Sequence, residues 1–188
     1  MLCRRGAGSR NKRNKEVSPL SESNDSSALP SGTEAENALI IDTTRGQVVV
    51  ALRPDIAPRH AERMKLLARE GFYDDVPFHR VIDGFMAQTG DGQYGNGTGG
   101  SQYPDLKAEF SDVPFERGTV GMARASNPHS ANSQFFIMFE EGSFLNGQYT
   151  VVGEVVRGMD VVDQLERGEP PRKPDRIVHM QLAADVKP

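Results

Sequence analysis

Hydrophobic and polar positions change rhythm along this chain, and each change predicts an element. Ala38-Leu39-Ile40-Ile41-Asp42-Thr43 and Gln47-Val48-Val49-Val50-Ala51-Leu52 are β-rich runs on either side of Thr44-Arg45-Gly46, which predicts a hairpin. The period then lengthens. Ala61, Met64, Leu67 and Ala68 recur at helical spacing, between Pro58, suited to a first turn, and Gly71, suited to a stop. Further strand-like runs are Pro77–Ile82, Phe85–Thr89, Thr119–Arg124, Gln134–Phe139, Tyr149–Val156 and Ile177–Ala183. A second helix fits Met159–Glu166, ended by Gly168. Many short strands with two helices predict a mainly β sandwich or a closed barrel, and pattern alone does not choose between them.

Two polar residues stand out inside this pattern. The run Phe78-His79-Arg80-Val81-Ile82-Asp83-Gly84-Phe85-Met86-Ala87-Gln88 sets one arginine and one glutamine among large apolar side chains. In an extended strand Arg80, Ile82 and Gly84 share one face, and Val81 and Asp83 the other. Gly84 can reset the register before Phe85, Met86 and Gln88. Ala131-Asn132-Ser133-Gln134-Phe135-Phe136-Ile137-Met138 and Phe144-Leu145-Asn146-Gly147-Gln148-Tyr149 add aromatic surface and further amides. An apolar pocket with a few convergent polar groups is how small-ligand sites are built. Each residue also has a plainer reading. Arg80 could be an ion-pair partner of Asp83 or Asp91; Phe85, Met86 and Phe136 could be barrel core; Gln88 and Gln134 could be solvent-facing amides.

Composition narrows the classes. The 188 residues suit one domain, and 22 basic against 26 acidic side chains leave a net charge of -4. That balance favours neither nucleic acid nor an anionic membrane. Cys3 is the only cysteine, so no internal disulfide or cysteine metal cluster can form. No apolar run approaches the roughly 20 residues of a membrane-spanning helix. Residues 1–37 differ from the rest: basic at Arg4, Arg5, Arg10, Lys12, Arg13 and Lys15, then Ser-, Glu- and Pro-rich, with no aromatic residue before Phe72. Such a segment buries too little surface to offset its ordering entropy, so it is expected to be a disordered tail ahead of a domain at 38–188. No apolar stretch of secretory type follows the basic start, which points to the cytoplasm.

The long stretch 90–117 is rich in Gly, Pro and Ser. Gly90-Asp91-Gly92-Gln93-Tyr94-Gly95 matches a bare dinucleotide fingerprint, but further glycines and Pro104 follow where a helix would have to open. A loop needing glycine conformations is the better reading. His60, His129 and His179 show no metal-ligand spacing, and Gly-x-Ser-x-Gly is absent.

FHRVIDGFMAQTGD with SANSQFFIMF downstream resembles the cyclophilin family of peptidyl-prolyl cis-trans isomerases, from about Ala38 to about Ala184. The resemblance implies a closed eight-stranded antiparallel β-barrel with a helix at each end and the active groove outside, since the interior is packed. It implies rotation about X-Pro bonds. That rotation faces a barrel-independent barrier of about 18–20 kcal/mol, while cis and trans differ by only about 0.5–1 kcal/mol. No bond breaks, so no nucleophile, metal or cofactor is required. By resemblance Arg80 is the catalytic arginine and Gln88 the side chain that orients it. Phe85, Met86, Phe136 and Leu145 resemble the proline pocket. Ala123, Arg124, Ala125 and Gln134 resemble the groove for residues before proline.

Phe144 and Tyr149, by the same resemblance also expected to bind substrate, stand where many eukaryotic members have tryptophan and histidine; Phe and Tyr there are typical of bacterial members. Loss of the indole N–H predicts weak binding of cyclosporin-type macrocycles, which a nanomolar Kd by calorimetry would contradict. Expected partners are proline-containing peptides and folding proteins, with no nucleic acid, no membrane and a monomeric state. Two other readings stay open. One is a proline-binding module with poor turnover. The other is an accessory subunit whose basic tail docks to an acidic partner or nucleic acid.

Overall fold

The computed structural model describes residues 28–187. Strands β1 (Ala38–Thr43) and β2 (Gly46–Leu52) form the expected hairpin, with Thr43 opposite Gly46. Helix α1 (Pro58–Arg69) carries Pro58 in its first turn. It stops where expected: Gly71 has φ +68°, and Phe72 N–H reaches back to the Leu67 carbonyl at 3.0 Å. The stripe Ala61, Met64, Leu67 and Ala68 is buried in the main core. Then come β3 (Val76–Pro77), β4 (Arg80–Ile82), β5 (Met86–Thr89), β6 (Thr119–Met122), β7 (Phe135–Met138), β8 (Val151–Arg157), α2 (Met159–Val162) and β9 (Arg176–Leu182).

Two expectations need correction. The second helix is four residues long, not eight. After Val162 the N–H groups of Gln164 and Leu165 bond three residues back, so the helix tightens into a turn. The next N–H, of Glu166, goes to Asp175 Oδ2 at 2.8 Å. The other correction concerns the barrel. The sheet is not a closed eight-stranded barrel but one curled nine-stranded antiparallel sheet, in the order β3-β9-β1-β2-β8-β6-β7-β5-β4. The single strand expected at Pro77–Ile82 breaks at Phe78-His79, and its halves take opposite edges of the sheet. Pro77 has no N–H for a ladder, its carbonyl accepts from Thr89 Oγ1, and Phe78 N–H turns to the Asp175 carbonyl at 2.8 Å. Only two residues separate the two edges, so the sheet curls on itself without a continuous ladder.

Strand alternation divides the apolar residues into two clusters. Val81, Ala87, Val120, Phe135 and Ile137 face inward, with Leu39, Val50, Met180 and α1, into the main core. Met86, Phe136 and Met138 face outward and join Phe115, Leu145 and Val151 in a second, smaller cluster. A one-residue slip would exchange the two sets, so the inner core also fixes which side chains floor the outer surface.

Of the segment expected to be disordered, residues 1–27 lie outside the described residues. Residues 28–37 lie against the domain. Arg157 Nη1 donates to the Ala28 carbonyl at 2.6 Å, and a short 3-10 turn at Ala35–Asn37 sets Glu36 3.3 Å from Arg69. Polar contacts hold this stretch, so an apolar pattern did not signal it.

Candidate active site

Antiparallel register lays the polar residues of the Arg80 stretch in a row across the outer face. Arg80 on β4 is opposite Gln88 on β5, Gln88 is opposite Phe136 on β7, and Phe136 is opposite Gly121 on β6. Gly121 is glycine because a Cβ there would lie 2.5 Å from the Phe136 ring and 2.6 Å from that of Phe115. The missing side chain is the space the two stacked rings occupy, their centroids 5.7 Å apart. Gly84, at φ +67°, makes the turn that places Met86 opposite Ile82.

The row is wired by side-chain hydrogen bonds. Gln134 Nε2 donates to the carbonyls of Gly97 and Gly99 at 3.0 and 2.8 Å. Its oxygen is therefore left to accept, which it does from Gln88 Nε2 at 3.0 Å. Gln88 must then turn its own oxygen toward Arg80, and Arg80 Nη1 lies 3.5 Å away, at the outer limit of a hydrogen bond. Two glycine carbonyls thus set the orientation of two amides in series. The arginine's Nε donates to Glu169 Oε1 at 2.7 Å. Asp83, one partner the sequence allowed, pairs with Arg167 instead, at 3.0 Å.

Asp91, the other allowed partner, holds the glycine loop. Its buried carboxylate accepts five backbone N–H groups, from Gln93, Tyr94, Asn96, Gly97 and Gly99, at 2.9 to 3.2 Å. Burial pushes this carboxyl up, but the N–H donors outweigh it and hold it below the usual range. The loop in which the phosphate-binding fingerprint occurs therefore wraps a carboxylate of its own chain. His79 is buried beside this loop, and neither ring nitrogen has a hydrogen-bond partner. Burial holds its pKa below the ordinary value, although Asp91 pulls it up.

Two adjoining cavities open on this face. The smaller, about 100 Å³, has Arg80 and Gln88 at one side and Phe85, Met86, Phe136 and Leu145 as apolar wall. Ala123, Arg124 and Tyr149 complete it. The larger, about 410 Å³, shares Gln88, Ala123 and Arg124 and extends over Ala125, Gln134 and the glycine loop. Arg124 divides the two. Its guanidinium lies 4.3 Å from the Tyr149 ring centroid and donates to the carbonyls of Ala125 and Gln148 at 3.0 and 2.8 Å. Phe144 lines neither cavity. It is 69% exposed at the rim, its ring 5.5 Å from that of Phe85.

Eleven of the twelve side chains singled out from the sequence thus line one or both cavities. Sequence reasoning missed Glu169, and it missed Asp91 as the support of the loop. Among the described residues, no group of three or more His, Cys, Asp or Glu side chains is placed to hold a metal ion.

The outer face of the sheet thus carries an arginine and a glutamine beside a small cavity with an apolar wall. A family model described as cyclophilin type peptidyl-prolyl cis-trans isomerase/CLD matches residues 38–182. A Brucella suis relative named "probable peptidyl-prolyl cis-trans isomerase" is 55% identical over 172 residues, covering 84% of this chain and 88% of its own length. Among solved structures, a cyclophilin from Hirschia baltica matches with a TM-score of 0.77 at 30% identity, covering 83% of this chain and 77% of its own. A Cryptosporidium parvum cyclophilin type peptidyl-prolyl cis-trans isomerase, solved in the presence of the dipeptide Ala-Pro, matches with a TM-score of 0.72 at 26% identity, covering 77% of this chain and 98% of its own. This chain belongs to the cyclophilin-type peptidyl-prolyl cis-trans isomerases. Among the described residues, no helix is long and apolar enough to cross a membrane.

Proposed function

We propose that the small cavity seats the proline ring of an X-Pro peptide and that Arg80 is the donor that lowers the rotation barrier. In the twisted amide the prolyl nitrogen loses resonance and gains a lone pair. A guanidinium facing that nitrogen binds the twisted form better than either planar form, which is what catalysis requires. The Arg80 guanidinium offers a rigid, planar fork of donors. Gln88 orients it and meets the substrate carbonyl. The larger cavity takes the residues before proline, with Ala123, Arg124, Ala125 and Gln134 along it. The observation that carries this reading is the Arg80–Gln88 cross-strand pair beside the apolar wall of the small cavity. The Ala-Pro dipeptide of the Cryptosporidium parvum relative supports proline-containing peptides as the ligand class. Cyclosporin-type macrocycles bind weakly, because Phe144 at the rim has no N–H to donate.

The test is the cis-to-trans exchange of an Ala-Pro peptide by NMR, with wild type and Arg80→Ala compared. Uncatalysed exchange takes about tens of seconds or more. Wild type brings it below a second. Arg80→Ala loses about 10²–10³ in rate, the scale of removing one preorganised donor, while keeping much of its peptide affinity. If affinity falls as steeply as rate, Arg80 is a binding residue and not a transition-state donor.

A further inference from the structure

We infer that Glu169 is a positioning residue for Arg80; this rests on the reading of Arg80 as the donor. A guanidinium on a flexible stem must be held at two points before its free N–H groups point one way. Gln88 supplies one point, and only at 3.5 Å. Glu169 supplies the other, and closer, at 2.7 Å on Nε. With Nε held by Glu169 and Nη1 turned to Gln88, the direction of the whole guanidinium is set, and its other N–H groups are left to donate beside the cavity that Arg80 lines.

The carboxylate is delivered by backbone and not by chance of a mobile side chain. Gly168 and Val81 exchange both of their backbone hydrogen bonds, each at 2.8 Å, so residue 169 is fixed beside residue 80. A Cβ on Gly168 would lie 2.6 Å from Pro171 Cα and 2.8 Å from the Pro170 carbonyl, so only glycine fits this crossing. The pair is half exposed, 43% for Arg80 and 55% for Glu169. It therefore contributes little to stability. Its effect falls on direction: a small misplacement of a catalytic group is costly in rate.

The experiment is a double-mutant cycle in the full chain, read by NMR exchange of an Ala-Pro peptide and by thermal melting. Glu169→Ala lowers kcat by about two- to fivefold, the scale of an exposed ion pair, with KM and Tm unchanged. In an Arg80→Ala background the same substitution changes nothing. Raising salt from about 0.05 M to about 1 M screens the pair and brings wild type toward Glu169→Ala, which itself responds little. If Glu169→Ala leaves the rate unchanged or raises it, while Arg80→Ala abolishes it, the positioning role is wrong and the donor role stands. The same holds if Glu169→Ala slows the Arg80→Ala protein equally. If Arg80→Ala itself keeps full rate, the donor reading fails instead.

Discussion

Phe136 and Ile137 are neighbours in the chain, equally buried, and opposite in surroundings. Ile137 looks inward, in register with Ala87 and Val120, into the main hydrophobic core. Phe136 looks outward, in register with Gln88, at a thin cluster that ends in an open cavity. One strand thus serves two purposes, because successive side chains of a strand point to opposite faces. The inner face has only to be dense. The outer face has to be dense below and polar at the edge, and it reaches that with Gly121 under the rings and with Arg80, Gln88 and Gln134 beside them.

The sharpest way to break this comparison is to truncate both neighbours. Ile137→Ala should cost about 2–5 kcal/mol of stability, as an inner-core cavity does, with kcat/KM per folded molecule nearly unchanged. Phe136→Ala should cost about 3–5 kcal/mol and also remove most activity, since it takes away the cavity floor. Denaturant melts beside NMR exchange separate the two. Equal activity loss in both would mean that the faces are not independent. A milder version is Gly121→Ala. Its Cβ would push on the Phe136 and Phe115 rings, costing about 1–3 kcal/mol and lowering kcat/KM without touching Arg80.

Asp91→Asn tests the loop that orients the amides. Replacing the carboxylate should cost about 1–3 kcal/mol near neutral pH, because buried N–H groups lose a charged acceptor. The folded pKa lies below the unfolded one, so this contribution is present above the unfolded value and is lost as pH falls through the folded value. The gap between wild type and variant, measured by melting, should therefore close at acid pH. The smallest effect concerns His79, whose pKa burial also lowers. Its neutral form suits the fold above the ordinary histidine value, so stability should decline as pH falls below about 6.5. His79→Gln should flatten that part of the profile, apart from the share due to His60, whose pKa burial lowers in the same direction.

Much of this was legible in the sequence because it is local. The first hairpin, the stripe of α1 and the site motif each lie within one short stretch. The break at Phe78-His79 was not legible, because Pro77–Ile82 reads as one run whose two ends differ only in partners, β9 for Pro77 and β5 for Arg80–Ile82. Glu169 stood 89 residues from its arginine, and nothing in periodicity pairs residues that far apart. Asp91 was visible as an acid but not as the centre of a loop, since its ligands are backbone groups that every sequence carries. Phe144 was expected with the binding residues, and only packing placed it on the rim.

The broken strand has one more result. An exposed strand edge invites another chain to add to it. Here both edges are short. One ends in Pro77, which has no N–H to offer, and the other has Val81 capped in both directions by Gly168. A protein proposed to handle extended, proline-containing chains would be vulnerable to such addition, since its ligands present free backbone. Neither edge offers such chains a free ladder, which suits the proposal that they are met in the cavities instead.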